Sequence, residues 1–305
     1  MMRDVLVTGA SGFVGRFMID RLRRAGYRVT GTGREDRPPY IATDVAWYTV
    51  DLSQPDDIAN LADRWWGVVH LASNSVPQSF KSNADVLNNV AITVALLERL
   101  ATCRFLFASS CQVYLPGPGL LVETSPTRPP GRYGLSKLLC EAAVLAFGDR
   151  HDVRIARPFN HLGPGMVPSL AIPSLVRRLC AERDYPGPLR MLGQDSTRDF
   201  IDVEDVVSAY VALLELDNPA ERVFNVCTGI GRRISEIAAT ALKLAGSNRK
   251  VEFQNAKLSS DDSQRLVGDP SRLMQLAGWK PQRTLEESLN CMLREVCHQD
   301  TLTEK

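Results

Sequence analysis

The regular alternation of short apolar runs with helix-length amphipathic stretches is the feature of this sequence that most constrains its fold. Apolar runs typical of buried strands lie at residues 4–8, 28–31, 47–50, 67–71, 104–108 and 153–156. Helical patterns lie between them, at residues 13–25, 55–63, 84–101 and 133–149. Because parallel strands need crossover connections, this rhythm predicts an α/β fold with a doubly wound, Rossmann-type parallel sheet.

The rhythm changes after residue 157, where glycine and proline become frequent. The chain is broken up there by Gly163, Pro164, Gly165, Pro168 and Pro173. Shorter elements follow, at 173–182, 197–216, 222–227 and 234–245. We therefore predict that residues 1–160 form the sheet domain and that residues 161–300 form mainly a smaller C-terminal α/β lobe, with the chain crossing back to the sheet around 197–230.

Composition narrows the class of protein. The 305 residues are 44% hydrophobic, which is enough for a large core, and 36 basic against 35 acidic residues leave a net charge of only +1. This balance argues against nucleic acid as a partner. No apolar stretch is long enough for a membrane helix. The seven cysteines and four histidines show no metal-ligand spacing, so we expect no metal site and a reducing, cytoplasmic location.

Three glycines spaced three apart stand in the stretch VTGASGFVGR at residues 7–16. A buried strand precedes them and a helical pattern follows, so they lie on a strand-to-helix turn. At such a turn the unpaired backbone N–H groups and the helix dipole favour an anion, and glycine lets phosphate approach the backbone. The pattern predicts a dinucleotide-binding turn, and a bare strand–helix turn is the alternative.

The residues after the second strand bear on which dinucleotide is bound. An acidic side chain there would accept hydrogen bonds from the adenosine ribose of NAD, but the sequence VTGTGRED places Gly33 and then Arg34 at this point. An arginine can pair with the 2′-phosphate of NADP through its planar fork. Arg34 therefore favours NADP(H). NAD(H) is the alternative. Arginines on the surface are often only solvated, and Glu35 supplies an acidic side chain one position later.

Two further stretches place acid–base chemistry near this turn. FASSCQVY, at 107–114, ends a strand, and RYGLSKLLCEA, at 132–142, begins a helix. Tyr133 and Lys137 are four residues apart, so they lie on one helix face. We expect the ammonium to lower the pKa of the phenol, so that Tyr133 exchanges a proton with a hydroxyl or carbonyl group that Ser110 also hydrogen-bonds. Taken singly, Tyr133 and Lys137 also fit an ordinary helix face, and Ser110 also fits an ordinary hydroxyl at the end of a strand.

The motifs together resemble one family over nearly the whole chain. In order they are TGASGFVG, DL at 51–52, VVHLAS at 68–73, NNV at 88–90, SSCQVY, YGLSK, RPFNHLGPG at 157–165, TRDFIDVEDVVSAY at 197–210 and VFNVCTG at 223–229. The sequence is similar to the extended short-chain dehydrogenases/reductases, in their nucleotide-sugar epimerase/dehydratase branch. The resemblance implies a dinucleotide-binding sheet domain and a C-terminal substrate-binding lobe.

The resemblance also implies roles for individual residues. The cofactor would lie against Gly9, Ser11, Gly12, Phe13, Val14, Gly15, Arg34, Asp51, Leu52, Leu71, Ala72, Tyr133 and Lys137. The three glycines would contact the pyrophosphate. Asp51 and Leu52 would contact the adenine, and the pair at 71–72 would contact the central ribose region. The catalytic triad would be Ser110, Tyr133 and Lys137, with the lysine also holding the nicotinamide ribose.

The substrate that the resemblance implies is a nucleotide-diphosphate sugar. Its binding residues would be Ser110, Cys111, Gln112, Asn160, Arg198 and Arg265. Asn160 and Arg198 match positions that hold the nucleotide diphosphate, a group that suits arginine. The segment 255–265 has no clear counterpart of the family's second diphosphate-binding arginine. Arg265 is the nearest candidate for that role. Another departure is Leu115, which replaces the glycine usual after VY.

The residues that follow Ser110 indicate the reaction. Dehydratases of the family use carboxylates there as general acid and base, whereas this chain has Cys111 and Gln112, so dehydration is disfavoured. Four segments are most similar in sequence to those of reductases that convert GDP-4-keto-6-deoxy-D-mannose to GDP-D-rhamnose. They are ARPFNHLGPG, TRDFIDVEDVVSAYVALLE, VFNVCTG and LAGWKP. The close alternative is a UDP- or dTDP-sugar 4-epimerase or 4-ketoreductase. A non-catalytic, dinucleotide-binding sensor or scaffold is the second alternative.

Two helical segments, 84–101 and 133–149, carry apolar faces. Members of the family commonly pair through two such helices. We therefore expect a homodimer joined by a four-helix bundle.

Overall fold

A main sheet with helices on both faces is joined to a smaller lobe. The computed structural model describes residues 2–75, 77–181, 187–192, 194–254 and 265–303. The strands are β1 (Asp4–Thr8), β2 (Arg28–Gly33), β3 (Ala46–Thr49), β4 (Gly67–His70), β5 (Arg104–Ala108), β6 (Asp152–Pro158), β7 (Asn160–Leu162), β8 (Leu189–Met191), β9 (Thr197–Asp202), β10 (Val223–Val226), β11 (Gly231–Arg233), β12 (Val251–Phe253) and β13 (Arg265–Leu266). The α-helices are α1 (Phe13–Arg24), α2 (Pro55–Ala59), α3 (Asn83–Arg99), α4 (Arg132–Ala146), α5 (Ala171–Ala181), α6 (Val203–Glu215), α7 (Ile234–Leu244), α8 (Ser271–Ala277) and α9 (Leu285–Thr303).

The main sheet contains seven strands among the described residues, in the order β10-β6-β5-β4-β1-β2-β3. Every neighbouring pair is parallel. The strand order reverses at β1, which lies between β2 and β4, and in an open parallel sheet this switch point opens a crevice at the carboxyl ends of the strands. The predicted Rossmann-type α/β fold is confirmed.

The two faces of the sheet are covered by different helices. Along β1 the side chains alternate, as the period of a strand requires. Val5 and Val7 lie in one core with Met18 of α1, whereas Leu6 lies in the opposite core with Leu96 of α3. All five side chains are fully buried, and each such burial contributes about 1.5–3 kcal/mol. The apolar periodicity of the sequence therefore places α1 and α3 on opposite faces.

The smaller lobe has its own core, built by α5, α7 and α9 around Leu175, Ile237 and Leu289. Strand β9 is its organising strand, because it pairs with β7, β11 and β13. The chain passes from β9 into α6, which packs against the main sheet. The following strand, β10, pairs with β6 at the edge of that sheet. The strand near 222–227 therefore belongs to the main sheet and not to the lobe.

Helices α5 and α9 are also joined covalently. Cys180 and Cys297 form a disulfide with a Cα–Cα distance of 5.3 Å, although they are 117 positions apart in sequence. Sequence spacing does not predict this pair, because the pairing depends on how the two helices pack. The cysteines at 103, 111, 140, 227 and 291 are free thiols.

Neither a metal centre nor a membrane-spanning helix is present among the described residues. No group of three or more His, Cys, Asp or Glu side chains there could hold a metal ion. None of the described helices combines the length and the apolar character needed to cross a bilayer.

Candidate functional site

The glycine-rich turn connects β1 to α1 at the switch point of the sheet. Gly9 has a φ of +66°, and a Cβ atom there would lie 2.8 Å from the backbone nitrogen of Ala72. A Cβ on Gly15 would overlap the carbonyl oxygen of Gly9. A Cβ on Gly12 would meet only that same oxygen, at 3.1 Å. Backbone packing therefore requires glycine at Gly9 and Gly15, whereas Gly12 has one tight backbone contact and is otherwise open.

The start of α1 fits an anionic group. Gly12 is the N-cap residue of α1. No side chain caps this end of the helix, and the first turn contains no acidic residue. The N–H groups of that turn and the positive end of the helix dipole are the usual partners of a phosphate. Apart from its two chain neighbours and the Gly9 carbonyl oxygen, no heavy atom of the described residues lies within 4 Å of a Cβ built on Gly12, so a phosphate can approach the backbone there. This cradle suits the pyrophosphate of a dinucleotide, which is the interpretation that the sequence favours.

Ser11, Phe13 and Val14 lie in the same turn. The carbonyl oxygen of Ser11 accepts a 2.8 Å hydrogen bond from the hydroxyl of Tyr40. The Phe13 ring stacks on His161 of β7, with the ring centroids 5.6 Å apart. The glycine turn thus contacts both the loop after β2 and the chain that enters the smaller lobe.

Arg34 and Asp51 follow the neighbouring strands β2 and β3 and lie at the same edge of the sheet. Arg34 is exposed. The carboxylate of Asp51 accepts hydrogen bonds from the backbone and side chain of Ser53, at 2.9 and 2.8 Å. These bonds, together with the charge of Arg34, hold the pKa of Asp51 below its usual value. Leu52 is buried beside this pair. The predicted adenosine-binding residues are therefore neighbours.

Leu71 and Ala72 follow β4, next to the glycine turn. The backbone nitrogen of Ala72 donates a 3.2 Å hydrogen bond to the Thr8 hydroxyl at the end of β1. The next residue, Ser73, accepts a 2.9 Å hydrogen bond from the Lys137 ammonium. The structure thus places the predicted central ribose contacts between the glycine turn and Lys137.

Ser110 lies just after β5, where the chain makes a 3₁₀ turn at Cys111–Val113. Its hydroxyl is buried and accepts a hydrogen bond from the backbone nitrogen of Gln112, at 3.2 Å. The phenol of Tyr133, in the first turn of α4, lies close enough to this hydroxyl for Ser110 to influence its pKa. The residue that allows this approach is Gly134, because a Cβ there would overlap the carbonyl oxygen of Gln112. No sequence pattern predicts this requirement for Gly134, because Gln112 and Gly134 lie on segments that are distant in sequence.

Lys137 lies one helical turn after Tyr133 and is only 3% exposed. Its ammonium donates 2.9 Å hydrogen bonds to the Ser73 hydroxyl and to the Ala108 carbonyl oxygen. The ammonium is 6.0 Å from the centroid of the Tyr133 ring. The predicted catalytic residues therefore lie together at the carboxyl end of β5.

The expected lowering of the Tyr133 pKa is wrong for this arrangement. Burial raises the pKa of Tyr133 to about 12, outweighing the opposite effect of the nearby Ser110 hydroxyl. Burial also lowers the pKa of Lys137 to about 8. The physical reason is that desolvation disfavours the charged form of both groups. At neutral pH the phenol is therefore protonated and can donate a proton.

A buried ion pair fixes α4 against the sheet. The Glu141 carboxylate accepts hydrogen bonds from Arg157 of β6, at 2.9 Å from Nε and 2.6 Å from Nη2. It also accepts a 2.5 Å hydrogen bond from the Ser109 hydroxyl, which precedes Ser110. The Glu141 carboxylate thus holds α4 to β6 and to the segment directly after β5, beside the predicted catalytic residues. The sequence analysis does not identify this contact.

The residues predicted for the substrate fall into two groups. Cys111 is buried, which raises the pKa of its thiol to about 12, and Arg198 is close enough to oppose that rise. Gln112 is half-buried in the same turn. The β7–β9 register pairs Asn160 with Phe200, so Asn160 and Arg198 lie on one face. The structure therefore places Asn160 on the same strand face as Arg198, and Arg198 near Cys111.

Arg265 belongs to the second group. It pairs with Thr197 in the β9–β13 register, so its side chain lies on the face opposite to Arg198. Its guanidinium packs beside Gly231, and its Nε is buried without a hydrogen-bond partner among the described residues. The structure does not bring Arg265 together with Arg198. The family's second diphosphate-binding arginine would fall within 255–265. Residues 255–264 of that stretch lie outside the described residues.

Comparison with known proteins agrees with this geometry. The model of the NAD dependent epimerase/dehydratase family matches residues 5–227. A curated relative, GDP-6-deoxy-D-mannose reductase of Pseudomonas aeruginosa, is 32% identical over 316 residues, covering 97% of each chain.

Two solved structures have the same fold. RMD from Pseudomonas aeruginosa, complexed with NADPH, has a TM-score of 0.85 and 30% identity, covering 98% of this chain and 99% of that one. MoeE5 in complex with UDP-glucuronic acid and NAD has a TM-score of 0.86 and 27% identity, covering 97% and 99%. With the glycine turn at the switch point and a tyrosine–lysine pair beside it, these matches show that the chain is a nucleotide-sugar oxidoreductase or epimerase of the NAD dependent epimerase/dehydratase family, within the extended short-chain dehydrogenases/reductases.

Proposed function

We propose that this enzyme reduces the C4 keto group of GDP-4-keto-6-deoxy-D-mannose to give GDP-D-rhamnose, with NADPH as its preferred reductant. The observation that carries the proposal is the grouping of Ser110, Tyr133 and Lys137 next to the glycine turn. The dinucleotide would be held mainly by residues 1–160 and the nucleotide sugar mainly by residues 161–300. When bound, the nicotinamide supplies the hydride that reaches C4.

The remaining steps belong to side chains of this chain. The Ser110 hydroxyl polarises the keto oxygen by a hydrogen bond. Tyr133 then donates its phenolic proton to the same oxygen as C4 is reduced, so one hydride and one proton give the alcohol. The Lys137 ammonium, anchored on Ser73 and Ala108, stabilises the phenolate left behind and binds a ribose hydroxyl.

The residues around Ser110 bear on the reaction. A protonated Tyr133 can donate the proton that reduction of a keto group requires. An ordinary phenol is also protonated at neutral pH, so this property fits both a reductase and the second half of a 4-epimerase cycle. The chain also has Cys111 and Gln112 where a dehydratase would need carboxylates.

The substrate assignment rests on two supports. Asn160 and Arg198 lie on one face near Cys111, where a guanidinium suits a diphosphate. The relative with 32% identity is named after GDP-6-deoxy-D-mannose, which is GDP-D-rhamnose, the product proposed here. We assign Arg265 to the substrate only as a secondary contact, because its strand register turns it away from Arg198.

The cofactor preference rests on Arg34. It is exposed beside Asp51, and no carboxylate directly follows Gly33 at the end of β2. This arrangement suits a 2′-phosphate. One solved relative holds NADPH and the other holds NAD, so NAD(H) is the alternative. We propose a cytoplasmic location, because nicotinamide cofactors and nucleotide sugars occur there; the Cys180–Cys297 disulfide is the feature that argues against the reducing environment expected from the sequence.

We also propose a homodimer through α3 and α4. These two helices pack against each other, and Leu87, Leu135, Leu139 and Leu145 on them are exposed by 38–61%. Large exposed apolar side chains clustered on adjacent helices mark an interaction surface. A second copy would bury the same residues in a four-helix bundle.

The test is a coupled assay of cofactor and product. Purified enzyme is mixed with GDP-4-keto-6-deoxy-D-mannose and NADPH, with NADH in a parallel reaction, and the reduced-nicotinamide absorbance is followed. We expect stoichiometric loss of the band, faster with NADPH, and GDP-D-rhamnose as the product. No loss with either cofactor would contradict the assignment.

The second candidate is a UDP- or dTDP-sugar 4-epimerase or 4-ketoreductase. It is favoured by the solved relative that holds UDP-glucuronic acid together with NAD. An epimerase would interconvert UDP- or dTDP-hexoses without net loss of cofactor, and this outcome distinguishes it from the reductase. The non-catalytic sensor is not supported, because the family and its relatives are enzymes.

A further inference from the structure

Arg16 connects the cofactor turn to the smaller lobe. It lies in the first turn of α1, where its backbone nitrogen donates a 3.2 Å hydrogen bond to the carbonyl oxygen of Gly12. Its guanidinium reaches across to the loop after β7 and donates a hydrogen bond to the carbonyl oxygen of Pro164. Residues 148 positions apart are thus joined by a single side chain.

The loop at residues 163–165 is held from three sides. A Cβ on Gly165 would overlap the Arg16 guanidinium, so the loop backbone lies directly against that side chain. The backbone nitrogen of Gly165 donates a hydrogen bond to the Glu295 carboxylate of α9. Gly163 packs against Phe13 of the glycine turn, where a Cβ would lie 3.3 Å from the ring. The loop is therefore clamped between the cofactor helix and the helix bundle of the lobe.

The charge of Arg16 is not neutralised by any described residue. It forms no ion pair in the described part of the chain, and its Nε is buried without a hydrogen-bond partner there. Glu295, across the loop, is occupied with Gly165 and is not paired with Arg16. The guanidinium lies instead over the Phe17 ring, 4.9 Å from its centroid. Arg16 is half-buried, and a cation next to the positive end of α1 is electrostatically unfavourable on its own.

A pyrophosphate in the glycine turn would offset this cost. It would bring negative charge to the helix end that carries Arg16, and it would therefore stabilise the same arrangement that holds the loop. The loop leads from Asn160 of β7 into α5, so it borders the proposed nucleotide-sugar site.

We propose that Arg16 is a positioning residue that couples cofactor binding to nucleotide-sugar binding. The proposal rests on the proposed function, because it requires a dinucleotide in the glycine turn and a nucleotide diphosphate at the smaller lobe. Coupling of this kind is reciprocal, so each ligand tightens the binding of the other. The contact through Arg16 makes the cofactor-bound enzyme the form that binds the sugar nucleotide best.

The test is a binding cycle in which NADPH affinity is measured by fluorescence titration, with and without a saturating nucleoside diphosphate. GDP is the first probe, and UDP and dTDP are tested in parallel. The variants are Arg16→Gln, which removes the charge and shortens the reach, and Arg16→Lys, which keeps the charge but not the planar fork. Arg24→Gln, at the exposed end of the same helix, is the matched control.

In the wild type and in Arg24→Gln, we expect the nucleoside diphosphate to tighten NADPH binding about tenfold. In Arg16→Gln the ratio should fall to about one, with Arg16→Lys between them. Gly165→Ala, which pushes the loop from Arg16, should also abolish the coupling and serves if Arg16→Gln does not fold. Full coupling in Arg16→Gln or Gly165→Ala, or none in the wild type when both ligands bind, would overturn the proposal.

Failure of the proposed function gives a different result. If the wild type binds no NADPH or NADH, or none of the three nucleoside diphosphates, the function itself is contradicted. A merely structural role for Arg16 would lower the melting temperature but leave the ratio of the two NADPH affinities unchanged. That ratio is therefore the decisive readout.

Discussion

Tyr133 and Lys137 lie one helical turn apart, and burial shifts their pKa values in opposite directions. The pKa of Tyr133 rises to about 12 and that of Lys137 falls to about 8. The sequence identifies both side chains by their spacing, but the shifts come from distant segments that enclose them. The lysine bonds to Ser73 and Ala108, which no local pattern connects to α4.

Replacement of Tyr133 by Phe tests the proton donor. We expect kcat to fall by about 10²- to 10⁴-fold, because the ring remains but the transferred proton is lost. The dissociation constant for NADPH should stay unchanged, as measured by fluorescence titration. Tyr48→Phe, a half-buried tyrosine of β3, is the control and should keep full activity. A similar loss of activity in both variants would argue against the assignment.

His70 forms a buried chain of hydrogen bonds beneath the site. The Thr93 hydroxyl donates to the Asn89 carbonyl oxygen, so it accepts from Nε2 of His70, 3.2 Å away. The Thr8 hydroxyl, at 2.7 Å, then donates to Nδ1. These partners fix a neutral imidazole, and burial lowers its pKa to about 3.

This neutral histidine should make the protein acid-sensitive. Between pH 6.5 and about 3 the unfolded chain binds a proton that native His70 does not, so stability falls as the pH falls through this range. From pH 7 to pH 5, the wild type should lose about 2 kcal/mol more unfolding free energy than His70→Gln. Urea denaturation at both pH values measures the difference. Equal losses in the two proteins would show that His70 is not held neutral.

At the scale of elements, hydrophobic periodicity predicts most of the main sheet and its helices. The expected return of the chain to the sheet around 197–230 includes β10, but periodicity does not give its place at the edge, because a four-residue strand fits either partner. Nor does it reveal the face on which Arg265 lies, since one step of strand register reverses that face. Contacts such as Glu141 with Arg157 depend on the packing of whole elements.

The glycine turn allows cofactor binding and folding to be separated. Gly12→Ala should weaken NADPH binding by at least about tenfold, because its Cβ would enter the space proposed for phosphate, while its single 3.1 Å contact with Gly9 costs less stability than the overlap at Gly15. Gly15→Ala should instead lower the unfolding free energy by about 1–3 kcal/mol, because its Cβ overlaps Gly9. Titration with NADPH and thermal unfolding measure the two effects.

Gly119→Ala is the control for both variants, because a Cβ there meets nothing within 4 Å. It should change neither NADPH affinity nor stability. If Gly12→Ala bound NADPH as tightly as Gly119→Ala, the pyrophosphate would not lie at this turn.

At the scale of the whole molecule, two lobes meet at the carboxyl ends of the sheet. The resemblance of the sequence predicts this division, but not the side chains that join its parts. Arg16 and Pro164 illustrate the reason, because neither residue belongs to a motif that specifies the other. The same is true of the disulfide between α5 and α9.

The exposed leucines of α3 and α4 predict the effect of a charge on assembly. Leu139→Glu should convert the dimer to a monomer, because an unpaired carboxylate buried in the bundle costs several kcal/mol. Leu276→Glu, on the exposed surface of α8, should leave the dimer intact. Sedimentation velocity distinguishes the two species. A wild type that is already monomeric would contradict the four-helix bundle.

The most direct test of the proposed reaction follows the transferred hydride itself. NADPH carrying deuterium at the transferable position of nicotinamide C4 is incubated with GDP-4-keto-6-deoxy-D-mannose, and the product is examined by mass spectrometry and NMR. The proposal predicts one deuterium at sugar C4 of GDP-D-rhamnose for each NADPH consumed, and none with Tyr133→Phe over the same time. A product without deuterium at C4, or interconversion of UDP-hexoses with no reaction of the GDP-keto sugar, would contradict it.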